Sequence, residues 1–450
     1  MRPADLARAL PTRTAARGSR ARLRSTAAAL LVALLAAAPA AVAAPVPDAG
    51  STAGGTRVEL EVPGSTYALV GAGAATSFAV TDDGRLWGTG RNDHGQLGDG
   101  TTTDRTVRTP VTGVPGTITE ITGGSAHTLA RTADGRVWSW GLGSSGQLGN
   151  GASSSRATPG QVGGFGGHDV LTVSAGDAHN LAVDALGRPW AWGSNSHGQL
   201  GYTTSVPGAS LPVGVPTMAG RTITAVAAGA SHSLALQDDG TVWAWGRGDY
   251  GQLGDGQGTS TEVPVQATGW GARTVVAIAA GGDTSAAVAS DGTLWMWGAG
   301  GWGQLGDGAI GSSAASAQQV TALAGVRVTS VALSTTTAVA LGADGSVWTW
   351  GGVGTLGDPS RLLGDAPRKV AVLAGSTVTA VAAEGFHASA LTDAGTLWSW
   401  GLNTSGAIGD GTTGDAGLPV RARSPLQVRE ARFDGLAGTD LEALDDARSP

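Results

Sequence analysis

Four histidines recur at one register, His127, His179, His232 and His387, each eleven residues before a tryptophan, and Thr76, Thr284 and Thr337 hold that place in three further copies. Evenly spaced imidazoles could ligate a metal, since neutral histidine is the commonest protein ligand. These four come from different repeats and each begins a strand expected to be buried. Each is therefore expected to bond local backbone, and no metal site is predicted. The carboxylates of Asp83, Asp134, Asp239, Asp291 and Asp344 each precede a glycine and are expected to serve hairpin turns. Three runs match Gly-x-Gly-x-x-Gly: Gly141–Gly146, Gly246–Gly251 and Gly298–Gly303. That loop cradles a dinucleotide only between a strand and a helix, and here it is expected between strands. The chain has no cysteine, which excludes thiolate metal sites and thiol nucleophiles. No calcium-loop pattern and no Ser-His-Asp arrangement is visible. The expectation is a non-enzyme without cofactor, metal or catalytic residues.

The elements that carry these residues are set by seven Trp-x-Trp-Gly-like stretches, with first tryptophans at Trp87, Trp138, Trp190, Trp243, Trp295, Trp348 and Trp398. They are 50 to 53 residues apart, and thirteen of the fifteen tryptophans fall in this column, leaving Trp270 and Trp302 outside it. So regular a period means a repeat architecture in which each unit buries its strands against its neighbours. In the fourth copy, Thr222–Ala228, His232–Leu236 and Thr241–Trp245 read as three strands. An Asp-Gly turn joins the last two, and Val263-Pro264-Val265 marks an outer fourth strand where proline is tolerated. Four antiparallel strands repeated seven times predict an all-β, seven-bladed β-propeller. Residues two apart share a strand face, so Trp243 and Trp245 point together and are expected to hold one blade to the next. Thr89 replaces the second tryptophan in copy one, which predicts either looser packing or a filling segment there.

Residues 1–43 read as a secretion signal: five arginines between Arg13 and Arg24 precede an apolar run ending at Ala41-Val42-Ala43. The expected organisation is signal 1–43, linker 44–54, propeller 55–430 and an acidic tail 431–450. Strand-like runs at Arg57–Val62 and Leu418–Ala422 are both candidates to complete a shared blade and close the ring. Without the signal the chain carries 21 basic and 34 acidic residues, a formal charge of −13. Nucleic-acid binding depends on clustered Lys and Arg against phosphate, so no nucleic-acid partner is expected. The mature chain is expected to be a secreted or extracellular monomer, free or wall-associated, with no stable membrane insertion.

The fourth copy, AAGASHSLALQDDGTVWAWGRGDYGQLGDG, carries a family resemblance. It is similar throughout to the regulator of chromosome condensation repeat, and the resemblance covers about residues 71–420. It implies a seven-bladed propeller. The family's founding activity is guanine nucleotide exchange, aided by a projecting hairpin. Repeat steps of 50 to 53 residues leave no room for such a hairpin, so exchange is disfavoured. A secreted, propeller-type β-lactamase inhibitor with an aromatic-lined face is the relative that suits the expected compartment.

Within this register the residue before Gly-Gln-Leu varies: His94, Ser145, His197, Tyr250 and Trp302. Strand direction puts these loops and the loops before the histidine column on one end of the blades, with Phe386 and Asp249. Turn formation does not call for Tyr or Trp there, whereas binding surfaces are enriched in both. The candidate binding residues are His94, His197, Tyr250, Trp302, Phe386 and Asp249. The expected function is a scaffold that binds a protein or surface polymer through this face. Inhibition or regulation of a secreted enzyme is the alternative.

Overall fold

Alternating apolar residues and tight turns, Asp-Gly in five of the seven copies, fold each repeat into an antiparallel meander of four strands, and seven such sheets follow one another along the chain. A computed structural model describes residues 66–423, apart from 204–206, 353–355 and 362. The stretches expected to be a secretion signal, a linker and an acidic tail, and the Arg57–Val62 run, lie outside the described residues. The fold is the expected seven-bladed β-propeller. In blade 4 the strands are Ile223–Ala228, His232–Gln237, Val242–Gly246 and Thr261–Gln266, so the four strands read from sequence are all present. The first strand of each blade touches the first strands of its neighbours, which makes these seven strands the inner wall around the axis. The three Gly-x-Gly-x-x-Gly loops each lie between the third and fourth strands of a blade.

The core lies between blades. His232 pairs with Gly246 and Ser233 with Trp245 across strands two and three. The pair Trp243 and Trp245 does not behave uniformly, however. The second tryptophans Trp140, Trp192, Trp245, Trp297, Trp350 and Trp400 are wholly buried. Of the first tryptophans only Trp295 is fully buried, and the others keep an edge in solvent. Each second indole lies against the preceding blade: a Cβ on Gly201 would stand 2.9 Å from Trp245 Nε1, and one on Gly254 2.8 Å from Trp297 Nε1. Both glycines also have positive φ, +79° and +73°, so the Gly of Gly-Gln-Leu-Gly is needed for backbone and for room. Trp270 fills a connection between blades, 7% exposed and 5.9 Å from the Trp297 ring.

Blade 7 is complete from its own strands, ending with Ala416–Arg421. The ring closes by packing: Tyr67 and Val70 of blade 1 meet Leu391 and Leu397 of blade 7, and the Tyr67 hydroxyl donates to the Arg423 carbonyl at 3.2 Å. The gap left by Thr89 is filled. Arg108 from the outer strand of blade 1, only 6% exposed, lies where a Cβ on Gly409 would meet its Nη1 at 2.8 Å, the place an indole takes in other blades. The Thr89 hydroxyl donates to the Gly406 carbonyl at 2.9 Å. The guanidinium stacks 5.5 Å from the Tyr67 ring centre, and its three nitrogens have no hydrogen-bond partner among the described residues. Burial lowers its pKa. Replacing a buried charge by an apolar group of similar size is often stabilising by about 1–4 kcal/mol. Arg108→Leu is therefore expected to raise the thermal midpoint, and a clear fall on calorimetry would show that the charge is satisfied in solution.

Candidate functional site

The histidines come first, because the structure changes their reading. They do not bond local backbone through Nε2: they reach the next blade. His127 Nε2 lies 2.6 Å from Asn180 Oδ1, His179 Nε2 3.0 Å from Ser233 Oγ, His232 Nε2 2.9 Å from Ser285 Oγ, and His387 Nε2 2.9 Å from Ser77 Oγ. Ser233 donates its own proton to the Gln199 carbonyl at 2.7 Å, and Ser285 does the same to Gln252 at 2.8 Å. In those seams the imidazole must therefore donate from Nε2, which leaves Nδ1 bare. The Nδ1 atoms of His127, His179 and His232 have no partner among the described residues. They sit on the glycine three residues earlier: a Cβ on Gly176 would be 2.5 Å from His179 Cε1. Burial pushes His127 and His387 down to about 4 and His179 and His232 down to about 3. They are neutral structural clips between blades.

The glutamine of Gly-Gln-Leu, which sequence reasoning passed over, joins scaffold to surface. Its backbone carbonyl takes the next blade's buried indole N–H: Trp245 to Gln199 at 2.8 Å and Trp297 to Gln252 at 2.9 Å. Its side-chain oxygen holds the backbone N–H of the variable residue: His94 at 2.9 Å, His197 at 2.8 Å, Tyr250 at 2.9 Å and Trp302 at 2.8 Å. The backbone is fixed and the side chain is free to differ. That is the arrangement of a presentation loop on a rigid frame.

On those loops Trp302 is 48% exposed and Tyr250 46% exposed, and Phe386 stands out on blade 7 at 44%. His197 and Asp249 are exposed, and His94 is half-buried. The six predicted residues fall into two groups. His197, Asp249, Tyr250 and Trp302 come from the consecutive blades 3, 4 and 5, and His94 and Phe386 from the adjoining blades 1 and 7. Arg247 ties part of the first group to the neighbouring blade: it is 3.0 Å from Asp249 and 3.3 Å from Asp283 of blade 5, with its guanidinium 5.1 Å from the Tyr250 ring. Bonds from Arg247 and Ser260 hold the Asp249 carboxyl below its usual range. His94 Nε2 lies 3.9 Å from Asp93.

Inside the rim, the loops before the histidine column close a collar around the channel mouth. Ala74 N–H donates to Gly124, Ser125 to Asp177 and Ala230 to Gly282, each bond crossing to the next blade. Asp177, Asp283 and Glu384 stand on this collar, and Glu384 occupies the position held by glycine in five other blades. Burial, then repulsion from Asp283, raises Asp177. Burial, then repulsion from Asp177, pushes Glu384 up to about 8. Water still reaches both: Asp177 is exposed and Glu384 half-buried. Asp177, Asp283 and Glu384 are not among the candidates read from sequence; for Glu384 an acid in a glycine column was the available signal. Chemically the face offers flat aromatic area and crowded carboxylates, a surface for contact. Among the described residues no three His, Asp or Glu are arranged to hold a metal ion, and no helix is long and apolar enough to cross a membrane.

In blade 6, Arg361, Arg368 and Lys369 lie close in sequence but do not form a uniform basic patch. Arg361 turns inward to the Ala366 carbonyl at 3.2 Å, and Asp358 and Asp365 lie close enough to oppose the loss of its charge.

Comparison with known proteins agrees with this geometry. Residues 170–438 match the RCC1-like domain, and residues 83–131 and 134–183 match the regulator of chromosome condensation (RCC1) repeat. The chain is 33% identical over 295 residues to the ultraviolet-B receptor UVR8 of Arabidopsis thaliana, covering 65% of this chain and 67% of the receptor. It is 34% identical over 329 residues to the human E3 ubiquitin-protein ligase HERC2, covering 70% of this chain but only 7% of the ligase. Human WBSCR16 superimposes with a TM-score of 0.70 at 27% identity, covering 76% of this chain and 94% of that one. The yeast RCC1 protein Prp20, in its complex with Kap60, gives 0.68 at 23% identity, over 80% of this chain and 91% of that one. Its repeats, its blades and these relatives agree: the chain belongs to the RCC1 repeat family.

Proposed function

We propose that this chain is a secreted binding propeller that engages a protein partner through its loop face and carries no chemistry of its own. The observation that supports this most is the pair Tyr250 and Trp302, large aromatics held in solvent by loops whose backbones are pinned to the scaffold. The RCC1-like propeller occurs in proteins named as a receptor and as a ligase, so the fold alone does not select an activity. Secretion rests on the leader-like residues 1–43. Inhibition of a secreted enzyme is the second reading, favoured by the aromatic rim, which would occupy such an enzyme's surface. Nucleotide exchange is disfavoured by the short repeat steps.

The mature chain used as bait in culture medium is expected to capture a partner, and a Tyr250→Ala, Trp302→Ala variant to lose it. Hot-spot aromatics contribute about 2 kcal/mol or more each. The variant's melting temperature is expected to stay within a few degrees of wild type, because both rings lie outside the core. Equal capture by the two proteins would refute the aromatic face.

A further inference from the structure

We infer that a groove between blades 6 and 7 is a site for an arginine side chain of a partner polypeptide, whose guanidinium pairs with Asp410. The site belongs to the loop between the third and fourth strands of blade 7. It goes beyond the aromatic face, because Tyr250 and Trp302 stand on blades 4 and 5 and take no part in it.

Blade 1 shows what such a loop does with a guanidinium. Residues 92–105 of blade 1 and 403–416 of blade 7 have the same length and share Asn, Gly-Asp-Gly-Thr-Thr and Asp at matching places. The strand ladders fix the match: Arg105 pairs with Gly90 as Ala416 pairs with Gly401. The internal bonds repeat as well. The Asn92 N–H donates to Asp104 at 2.7 Å and the Asn403 N–H to Asp415 at 2.8 Å. Thr101 Oγ1 donates to Asp99 Oδ1 at 2.7 Å and Thr412 Oγ1 to Asp410 Oδ1 at 2.8 Å. The loops part company at their last residue. Arg105 sets Nε 2.8 Å and Nη2 2.7 Å from Asp99 Oδ2, and Nη2 also donates to Thr101 Oγ1 at 3.1 Å. Blade 7 has Ala416 there, and Asp410 Oδ2 has no partner among the described residues.

The room left by the smaller residue is a groove of about 490 Å³, lined by Asp410, Thr412, Asp415, Ala416 and Leu418 and bounded by Pro359 of blade 6. Leu418 is exposed and gives the aliphatic stem of an arginine an apolar surface to lie on. The neighbouring charges leave Asp410 to an outside cation. Arg423 lies beside Gly411, its Cζ 3.3 Å from where a Cβ would stand, yet forms no ion pair with Asp410 among the described residues. Arg361 turns to the Ala366 carbonyl, and Asp358 is held by Ser360 at 2.6 Å. A guanidinium reaches the carboxylate and the threonine hydroxyl together, as a fork can and a point-like ammonium cannot. A metal ion does not suit the loop, because the Asn403 amide already occupies the Thr412 and Gly414 carbonyls at 3.0 and 3.1 Å.

The test follows amide resonances of the mature chain during titration with N-acetyl-arginine methylamide and, separately, with its lysine analogue. Shifts at Asn403, Asp410 and Thr412 are expected to saturate with the arginine probe and to need at least about tenfold more of the lysine probe, the scale of one charge-assisted bond. Asp410→Asn is expected to weaken arginine binding by a similar factor while the loop stays folded, since blade 2 carries Asn150 at this place and still accepts from the Ala152 N–H at 3.0 Å. Ala416→Arg is expected to abolish binding by filling the groove from within, and Arg105→Ala to open a second site, with new shifts at Asn92 and Thr101. Asp134→Asn removes the same charge at the opposite end of the blades and is expected to change binding less than about twofold. Equal response to the two probes, or binding undiminished by Ala416→Arg, would overturn the inference. Binding that appears only in an Arg429→Gln, Arg432→Gln variant would assign the groove to the chain's own arginines and overturn the partner. None of these readouts involves Tyr250 or Trp302, so the aromatic face stands or falls on its own capture test.

Discussion

Acidification from pH 6.5 to pH 5 is expected to destabilise the propeller by about 4 kcal/mol, well before ordinary carboxylates protonate. The cause is the four buried clips. Unfolded histidine titrates near 6.5, while the folded values lie near 4 for His127 and His387 and near 3 for His179 and His232. The unfolded chain therefore binds more protons throughout that interval. The contribution of each imidazole is fully present above pH 6.5 and is lost as pH falls toward 3 to 4. At 1.36 kcal/mol per unit, each loses between about 1 and 2 kcal/mol over the interval, or roughly 6 kcal/mol together. Glu384, raised to about 8, works in the opposite direction. Its folded form binds the extra proton, and it returns at most about 2 kcal/mol as pH falls. Urea midpoints measured at both pH values decide the matter. An unchanged midpoint would mean that the imidazoles are solvated or charged in the fold.

Trp245→Ala is expected to remove about 3–5 kcal/mol, whereas Trp243→Ala, two residues earlier on the same strand, removes about 1 kcal/mol. Trp245 is wholly buried against Gly201 of the preceding blade and donates to the Gln199 carbonyl. Its loss opens a cavity at an inter-blade seam and takes one donor from a buried acceptor. Trp243 keeps solvent on one side and lies under Arg221, whose guanidinium is 3.9 Å from its ring. Chemical denaturation of the two variants supplies the comparison. Comparable losses would show that both indoles carry the seam equally, which their burial contradicts.

Periodicity made the blade architecture legible, because Trp243, Trp245 and Ala244 alternate as a strand must and the Asp-Gly turns punctuate it. It could not distinguish the two tryptophans. Strand alternation assigns a face but is silent on how far along that face the neighbouring blade extends. The histidines were misread for a related reason. A period locates each copy, but partners such as Ser233 and Ser285 lie about one repeat away and meet the imidazole only when blades stack. Arg108 shows the same limit: nothing local marks an arginine on an outer strand as the substitute for a missing indole. Of the candidate face, the aromatics were visible as exceptions to a repeat. The clamp from Gln252 to Tyr250 and the link from Arg247 to Asp283 needed the folded loops.

The seams and the face therefore differ: tryptophan, glutamine and histidine hold the ring, and the variable loops form the proposed contact surface. Hydrogen exchange of the mature chain, with and without its captured protein, tests that division directly. Exchange is expected to slow at the loops around Asp177, Arg247–Gln252, Trp302 and Glu384–Phe386. It is expected to stay unchanged at the hairpins of Asp83, Asp134, Asp239 and Asp344. Slowing confined to those hairpins or to the outer strands would place the partner elsewhere and contradict the assignment of the loop face.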